Sequence, residues 1–424
     1  MSHTPSAAAQ RDAKASARLL GLLGLLYFAQ GLPSGLLAKA LPPLLREQGA
    51  SLPVIGLTGL LAAPWALKFL WAPLVERTGT RRHWLLALNA ATLGLMLLLA
   101  SRDFSFWAGP VLPVFLGLLL TLNLIAATQD IVTDGLAVSR LTAPLRGIGN
   151  SAQVIGYKIG MTLGGGVLLW LVAQWGWTAA YGGMAVLLLP VLFAVWFMAV
   201  PNSRAEYAAS HPSWRGLRGY RQLLRDFAAR PGLGWWLLTV ATFKVGDSLS
   251  SRMIGPLLKD QGMTLGEIGS LTTAAALTGL AGALIGGLSL LRLGHRNALL
   301  LFGTLQAAGL VAYVPVTAGG VDPALVMLIA CGEQFADGLS TVALFTLMMD
   351  ACRPHAPGVD YSLQASLLVI VTGVASLSSG FVAAFTGYGA VFGGGAVLTL
   401  LALLPVLRYF AQVGSAAGVG RASG

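Results

Sequence analysis

The sequence predicts an all-α membrane protein of twelve transmembrane helices, built as two six-helix halves. Three observations lead there. The 424 residues are 56% hydrophobic and only 10% charged, with a mean hydropathy of +0.75, whereas a soluble domain carries about 25% charged residues. Apolar runs near the ~20 residues that cross a bilayer core recur at about 18–43, 53–74, 84–101, 107–138, 148–173, 178–200, 233–257, 265–290, 297–318, 323–351, 361–384 and 388–407. The chain also repeats itself. "PLLREQGASLPVIG" (43–56) matches "PLLKDQGMTLGEIG" (256–269) at eight of fourteen positions, and "GWTAAYGGMAVL" (176–187) matches "GYGAVFGGGAVL" (387–398) at seven of twelve. The two shifts, 213 and 211, are half the chain. A parallel duplication of six-helix halves follows, with residues 1–200 as the first half, 201–232 as a basic linker and 233–424 as the second.

Loop charge sets the orientation. With the N-terminus inside, nineteen Lys and Arg fall on the cytoplasmic side and three, Arg46, Arg102 and Lys259, on the outer side. Both termini are expected inside. The net charge of +11 therefore follows the membrane and implies no nucleic-acid partner. The apolar stretch after the polar first 17 residues reads as the first pass rather than a signal peptide. In the linker, "WRGLRGYRQLLRDFAAR" puts Trp214, Leu217, Leu224 and Phe227 on one helical face and arginines on the other. It reads either as an interfacial helix against anionic lipid or as a solvated linker. Cys331 and Cys352 stand at opposite ends of one helix, too far apart to bridge within it.

Charge inside the helices is confined to a few passes. A charged side chain at mid-bilayer costs about 2.5 kcal/mol or more, and marks function by default. Asp130 and Asp134 are four apart on the fourth pass and share a face with Asn123. Glu333 and Asp337 repeat this spacing on the tenth pass, and Lys244 and Asp247 pair at i, i+3 on the seventh. Counting at 1.5 Å per residue from the nearest cytoplasmic residue places Gln30, Lys68, Asp130, Lys158 and Lys244 ~13–21 Å deep, about half of a ~30 Å core. Transporters bind substrate at that level. The bland alternative is a set of ion pairs that hold the bundle together. Arg252, near the outer end of its helix, reads as a gate residue or as snorkelling. In "YFAQGLPSG" (27–35), Gly31, Pro33 and Gly35 interrupt helical bonding beside Tyr27 and Gln30; they expose backbone to a cavity or kink the helix for packing.

All five histidines fall in cytoplasmic segments, and no CxxC, HExxH or GxxxxGK[ST] occurs. Direct drive by ATP is excluded. No enzyme chemistry, catalytic residue, cofactor or metal is expected.

The loop "VERTGTRRH" resembles the D-R-x-G-R-R signature of the major facilitators, with Glu76, Arg77 and Arg81 as its acid and bases. In that family the acid and arginines latch helix ends in the outward-facing state. The counterpart "GLSLLRLGHR" (287–296) lacks the acid. "YFAQGLPSGLLAKALPPLLREQG", "APWALKFLWAPLVER", "ATQDIVTD" and "GYKIGM" resemble one branch of the family. It holds AmpG-like anhydromuropeptide permeases, acetyl-coenzyme A transporters and RhtX/FptX-type siderophore importers. The resemblance runs from about residue 19 to 407. It implies alternating access in a bacterial inner membrane, with proton symport. Twelve helices rather than fourteen, and the "FAQGLPSGLLA" form of the first, favour import of a ferric siderophore. An anhydromuropeptide permease of cell-wall recycling is the alternative, and a non-translocating receptor a third reading. Tyr27, Gln30, Lys68, Lys158 and Lys244 are then the substrate-binding candidates. Asp130, Asp134, Glu333 and Asp337 are the proton-coupling candidates, because burial favours the neutral carboxylic acid. Asp247, Arg252, Glu76, Arg77 and Arg81 are the ion-pair or gating set. The expected partners are a small-molecule substrate, protons and the lipid bilayer, with the chain acting as a monomer.

Overall fold

The structure is a computed structural model that describes residues 7–41, 44–45, 48, 58–197, 216–230, 232–263 and 265–422. Among the described residues every regular element is a helix. The first repeat stretch (43–56), the first residues of the second pass, and Trp214 lie largely or wholly outside the described residues.

Among the described residues, seven helical runs are long and apolar enough to cross a membrane: Lys14–Ala40, Arg81–Ala100, Leu112–Arg140, Ala143–Phe197, Ser270–Ala318, Pro323–Asp350 and Pro357–Val413. Three of them fold back on a single glycine, at Gly176 (φ 76°), Gly294 (φ 69°) and Gly387 (φ 79°), each with ψ near 166°. That region is closed to residues with a side chain. Gly176 and Gly387 head the second repeated stretch, so the duplication is carried by the same turn chemistry in both halves. Each folded run supplies two passes. Two broken passes, described next, bring the total to twelve.

In chain order the elements are α1 (Ala7–Gly35), continued by a wide π turn at Leu36–Ala40, then α2 (Ala63–Leu67), α3 (Ala72–Arg77), α4 (Arg81–Ala100), α5 (Phe104–Ala108) and α6 (Leu112–Arg140). α7 (Ala143–Thr162) runs through a π turn at Leu163–Val167 into α8 (Leu168–Val186), followed by α9 (Leu189–Phe197) and the linker helix α10 (Gly216–Ala228). The second part comprises α11 (Leu233–Thr242), α12 (Val245–Ser251), α13 (Ile254–Asp260), α14 (Leu265–Ala312), α15 (Pro323–Asp350), α16 (Pro357–Leu401) and α17 (Leu403–Ala422). The second pass is broken into α2 and α3 by a 3-10 turn at Lys68–Leu70, with Pro64 and Pro73 opening the two pieces. The seventh is broken between α11 and α12 at Lys244, which leaves helical geometry (φ −108°, ψ 4°). Both breaks carry a lysine.

Two compact units are distinguished by their internal packing: 1–141 with 152–211 and 353–362, and 142–151 with 212–352 and 363–424. In the first, Phe104, Trp107, Phe115, Trp177 and Tyr181 form an aromatic core. In the second, Tyr313 stacks on Phe392 beside Leu257 and Val326. The outward surface is apolar, with Trp170, Phe193, Phe381 and Phe385 exposed, as lipid solvent requires.

The glycines of α1 serve packing. α1 is continuous through Gly31 and Pro33, and no cavity-exposed break occurs there. A Cβ on Gly31 would strike the Tyr157 carbonyl, and one on Gly35 the Met161 carbonyl. Reciprocally, Gly156, Gly160 and Gly164 of α7 and its π turn press on the carbonyls of Gly24, Phe28 and Leu32. This small-xxx-small ladder lets two helices touch backbone to backbone, which is how helices associate where lipid tails remove the hydrophobic drive. The linker helix α10 packs on protein. Leu223 and Phe227 are buried within the second unit, Arg230 covers the Phe227 ring, and Arg230 donates to the Ala351 carbonyl.

Candidate functional site

In the first unit the 3-10 turn of the second pass aims Lys68 into the bundle, where it is 2% exposed. Its Nζ pairs with Asp130 and lies 3.4 Å from Asp134 Oδ2. The i, i+4 face predicted for the fourth pass therefore exists, with one ammonium bridging both carboxylates. Tyr27 donates its hydroxyl to Asp134 Oδ1 at 2.7 Å. Gln30 donates to Thr133 Oγ1 at 3.2 Å, and Trp65 Nε1 to Asn123 Oδ1 at 3.2 Å. With both aspartates ionised the Lys68 cluster carries one net negative charge inside an apolar bundle, so a single proton brings it to neutrality. Lys158 is half-buried on α7.

The second unit holds a larger cluster at the break of the seventh pass. Lys244 Nζ donates to Asp337 Oδ1 and Ser340 Oγ, both at 2.7 Å, and to Gln306 Oε1 at 3.1 Å. Asp247 Oδ2 is 3.9 Å away, the predicted i, i+3 pair. Gln306 Nε2 donates to Asp247 Oδ1 at 2.9 Å and to Glu333 Oε1 at 3.2 Å. Glu333 is fully buried and also accepts from Gln334 Nε2 at 2.9 Å. With all three carboxylates ionised, one lysine leaves the cluster with an excess of negative charge. Gln306 was not foreseen. It lies on the ninth pass, where sequence reasoning found no ionisable residue; a lone glutamine in an apolar run was the available signal.

The loop residues split. Glu76 lies beyond the second pass and accepts from the Gly358 backbone N–H at 2.5 Å, at the first turn of α16. Burial pushes its carboxyl from an ordinary 4.5 to about 7, against the opposing pull of the Gly358 N–H and the Arg81 guanidinium. Arg81 donates to Ser139 Oγ at 2.7 Å, and Arg77 is half-buried. The same unit closes a second contact, with Arg353 donating twice to Asp360 at 2.6 and 2.8 Å. In the second unit the acid missing from "LRLGHR" is supplied by another element. His295 Nε2 sits 2.7 Å from Asp350 Oδ2 at the end of α15, and Arg146 pairs with the same carboxylate. Arg252 is exposed at the end of α12.

The profile of the Major Facilitator Superfamily matches residues 23–373. The chain belongs to that superfamily. Solved major facilitators agree with the fold. The human organic anion transporter MFSD10 superposes with a TM-score of 0.68 at 18% identity, covering 92% of this chain and 99% of that one. The proton:xylose symporter XylE gives 0.66 at 14%, covering 92% and 94%. Among curated relatives, the anhydromuropeptide permease of Escherichia coli K12 is 31% identical over 366 residues, 82% of this chain and 71% of the permease.

That relative corrects the substrate expectation. Import of a ferric siderophore, and iron transport with it, is not supported; the alternative reading is the one with a relative behind it. The siderophore reading rested on helix number and on the form of the first pass. Helix number says nothing of the side chains that meet a substrate. In "FAQGLPSGLLA" the residues Gly31 and Gly35 pack against α7, so that motif reports the bundle rather than its cargo.

Proposed function

We propose that this major facilitator is an anhydromuropeptide permease of cell-wall recycling, working by alternating access in a bacterial inner membrane with both termini inside. The observation that carries the reading is the 31% identity to such a permease across 82% of the chain. The Lys68 and Lys244 clusters give it a mechanism. A muropeptide is large, polar and carboxylated. Its carboxylate competes with Asp130 for Lys68, by the charge-assisted bonding that an ammonium offers any carboxylate. Asp130, displaced from its cation while still buried, takes a proton. Substrate and proton then occupy one cluster together, which is symport. Tyr27 holds Asp134 during the exchange, Gln30 and Lys158 offer further donors to the sugar and peptide, and Lys244 with Asp337 and Glu333 serves the second half in the same way. Glu76, Arg77 and Arg81, with Asp247 and Arg252, govern opening and closing. The transporting unit is one chain, residues 1–200 and 233–424 forming its halves around the 201–232 linker.

The test is complementation. Cells lacking their own anhydromuropeptide permease, and separately cells lacking inner-membrane siderophore importers, would express this chain. Muropeptide recycling should return in the first and no siderophore uptake should appear in the second. Absence of recycling at normal expression would overturn the reading.

A further inference from the structure

Gln306 hydrogen-bonds to four side chains of the second unit, and its chemistry is fixed from both ends. Its amide oxygen accepts from Lys244 (3.1 Å) and Ser340 (2.6 Å), and its amide nitrogen donates to Asp247 (2.9 Å) and Glu333 (3.2 Å). All four places that a primary amide offers are filled. The reversed amide would aim N–H groups at an ammonium and an oxygen at two carboxylates, so charge alone dictates this orientation. The residue is 1% exposed.

Glu333 depends on that amide. Its hydrogen bonds come from two neutral donors, Gln306 and Gln334, while Lys244 gives its short contacts to Asp337, Ser340 and Gln306. The charged and titratable groups around Glu333 are Asp247 and Lys244 from the seventh pass, Asp337 from its own helix, and Tyr313 from the end of the ninth. The ninth pass is held against Glu333 at Gly309, where a Cβ would lie 3.0 Å from the Glu333 Cα. Among the described residues, Gln306 is thus the side chain with hydrogen bonds to both Lys244 and Glu333.

We infer that Gln306 is a positioning residue that links the protonation of Glu333 to the grip of Lys244 on Asp337. While Glu333 is ionised, its charge holds the Gln306 N–H₂ and the amide oxygen stays on Lys244. When Glu333 takes a proton from the side of entry, the carboxyl is a weaker acceptor and the amide is released toward Asp247. Lys244 then loses one of its acceptors and is freer to exchange Asp337 for a substrate carboxylate. Loss of the proton on the far side restores the first arrangement. This role rests on the proton-coupled reading of the previous subsection. Gln306 acts through Glu333 and Lys244 and need not touch substrate.

The test measures Glu333 directly. In the purified full chain, the protonated-carboxyl infrared band is followed against pH and assigned to Glu333 by its loss in Glu333→Gln. Removing a donor to the ionised form raises proton affinity. Gln306→Met is therefore expected to move the Glu333 midpoint upward by ~1 pH unit. Gln306→Asn, which keeps the amide one methylene short, is expected to move it less in the same direction and serves if the Met variant does not fold. The pH profile of uptake should follow the infrared shift. An unmoved midpoint in a folded variant, with uptake merely scaled down at every pH, would overturn the role. If the wild type carries no muropeptide yet the infrared midpoint moves, the substrate reading fails and the Gln306 linkage stands.

Discussion

Lys68 shows how one buried cation organises its surroundings. Two carboxylates reach it, and one of them, Asp134, is fully buried and held from the other side by Tyr27. Lys68→Met leaves both carboxylates in the bundle without a cation, and breaking a buried pair in this way costs about 3–5 kcal/mol. The melting temperature in detergent should fall accordingly. Adding Asp130→Asn to Lys68→Met should recover part of the loss, because the second substitution removes one uncompensated charge. Strict additivity of the two losses would show that the groups are not coupled. At this scale the charged residues were legible in the sequence, because two aspartates four apart in an apolar run are too costly to stand there without a partner or a task. Gln306 and Ser340 were not, since neutral polar residues are common enough in helices to pass unnoticed until their partners converge.

Among the elements, the contact of α1 with α7 sets how closely two passes approach. Gly160 lies under Phe28, and a Cβ there would stand 2.9 Å from the Gly31 Cα as well as striking the Phe28 carbonyl. Gly160→Ala should therefore lower thermal stability by about 1–3 kcal/mol, the usual penalty for overpacking. Gly166→Ala, where a Cβ meets nothing within 4 Å, should be nearly neutral. Equal melting temperatures for the two variants would show that the packing ladder does not set the approach of the helices. Glycine inside a helix has two readings, interruption or close approach. "YFAQGLPSG" alone could not separate them. The matching spacing of Gly156, Gly160 and Gly164 in a distant segment was the available clue. The breaks at Lys68 and Lys244 were legible only in part. Pro64 and Pro73 announce the first, whereas nothing local to Lys244 announces the second.

At the level of the whole molecule, duplication and hydropathy made the fold readable, since each pass must satisfy its backbone in hydrocarbon and so declares itself. The substrate was not readable in the same way. Helix number and packing motifs are properties of the bundle, while cargo is chosen by the side chains that meet it. The most direct measurement is uptake of labelled anhydromuropeptide into proteoliposomes holding the purified chain, with the outside made acidic. Wild type should accumulate label above equilibrium and lose it on addition of a protonophore, while Asp130→Asn should only equilibrate. Failure of the wild type to take up label, or accumulation by Asp130→Asn at the wild-type level, would contradict proton-coupled muropeptide transport through the Lys68 cluster.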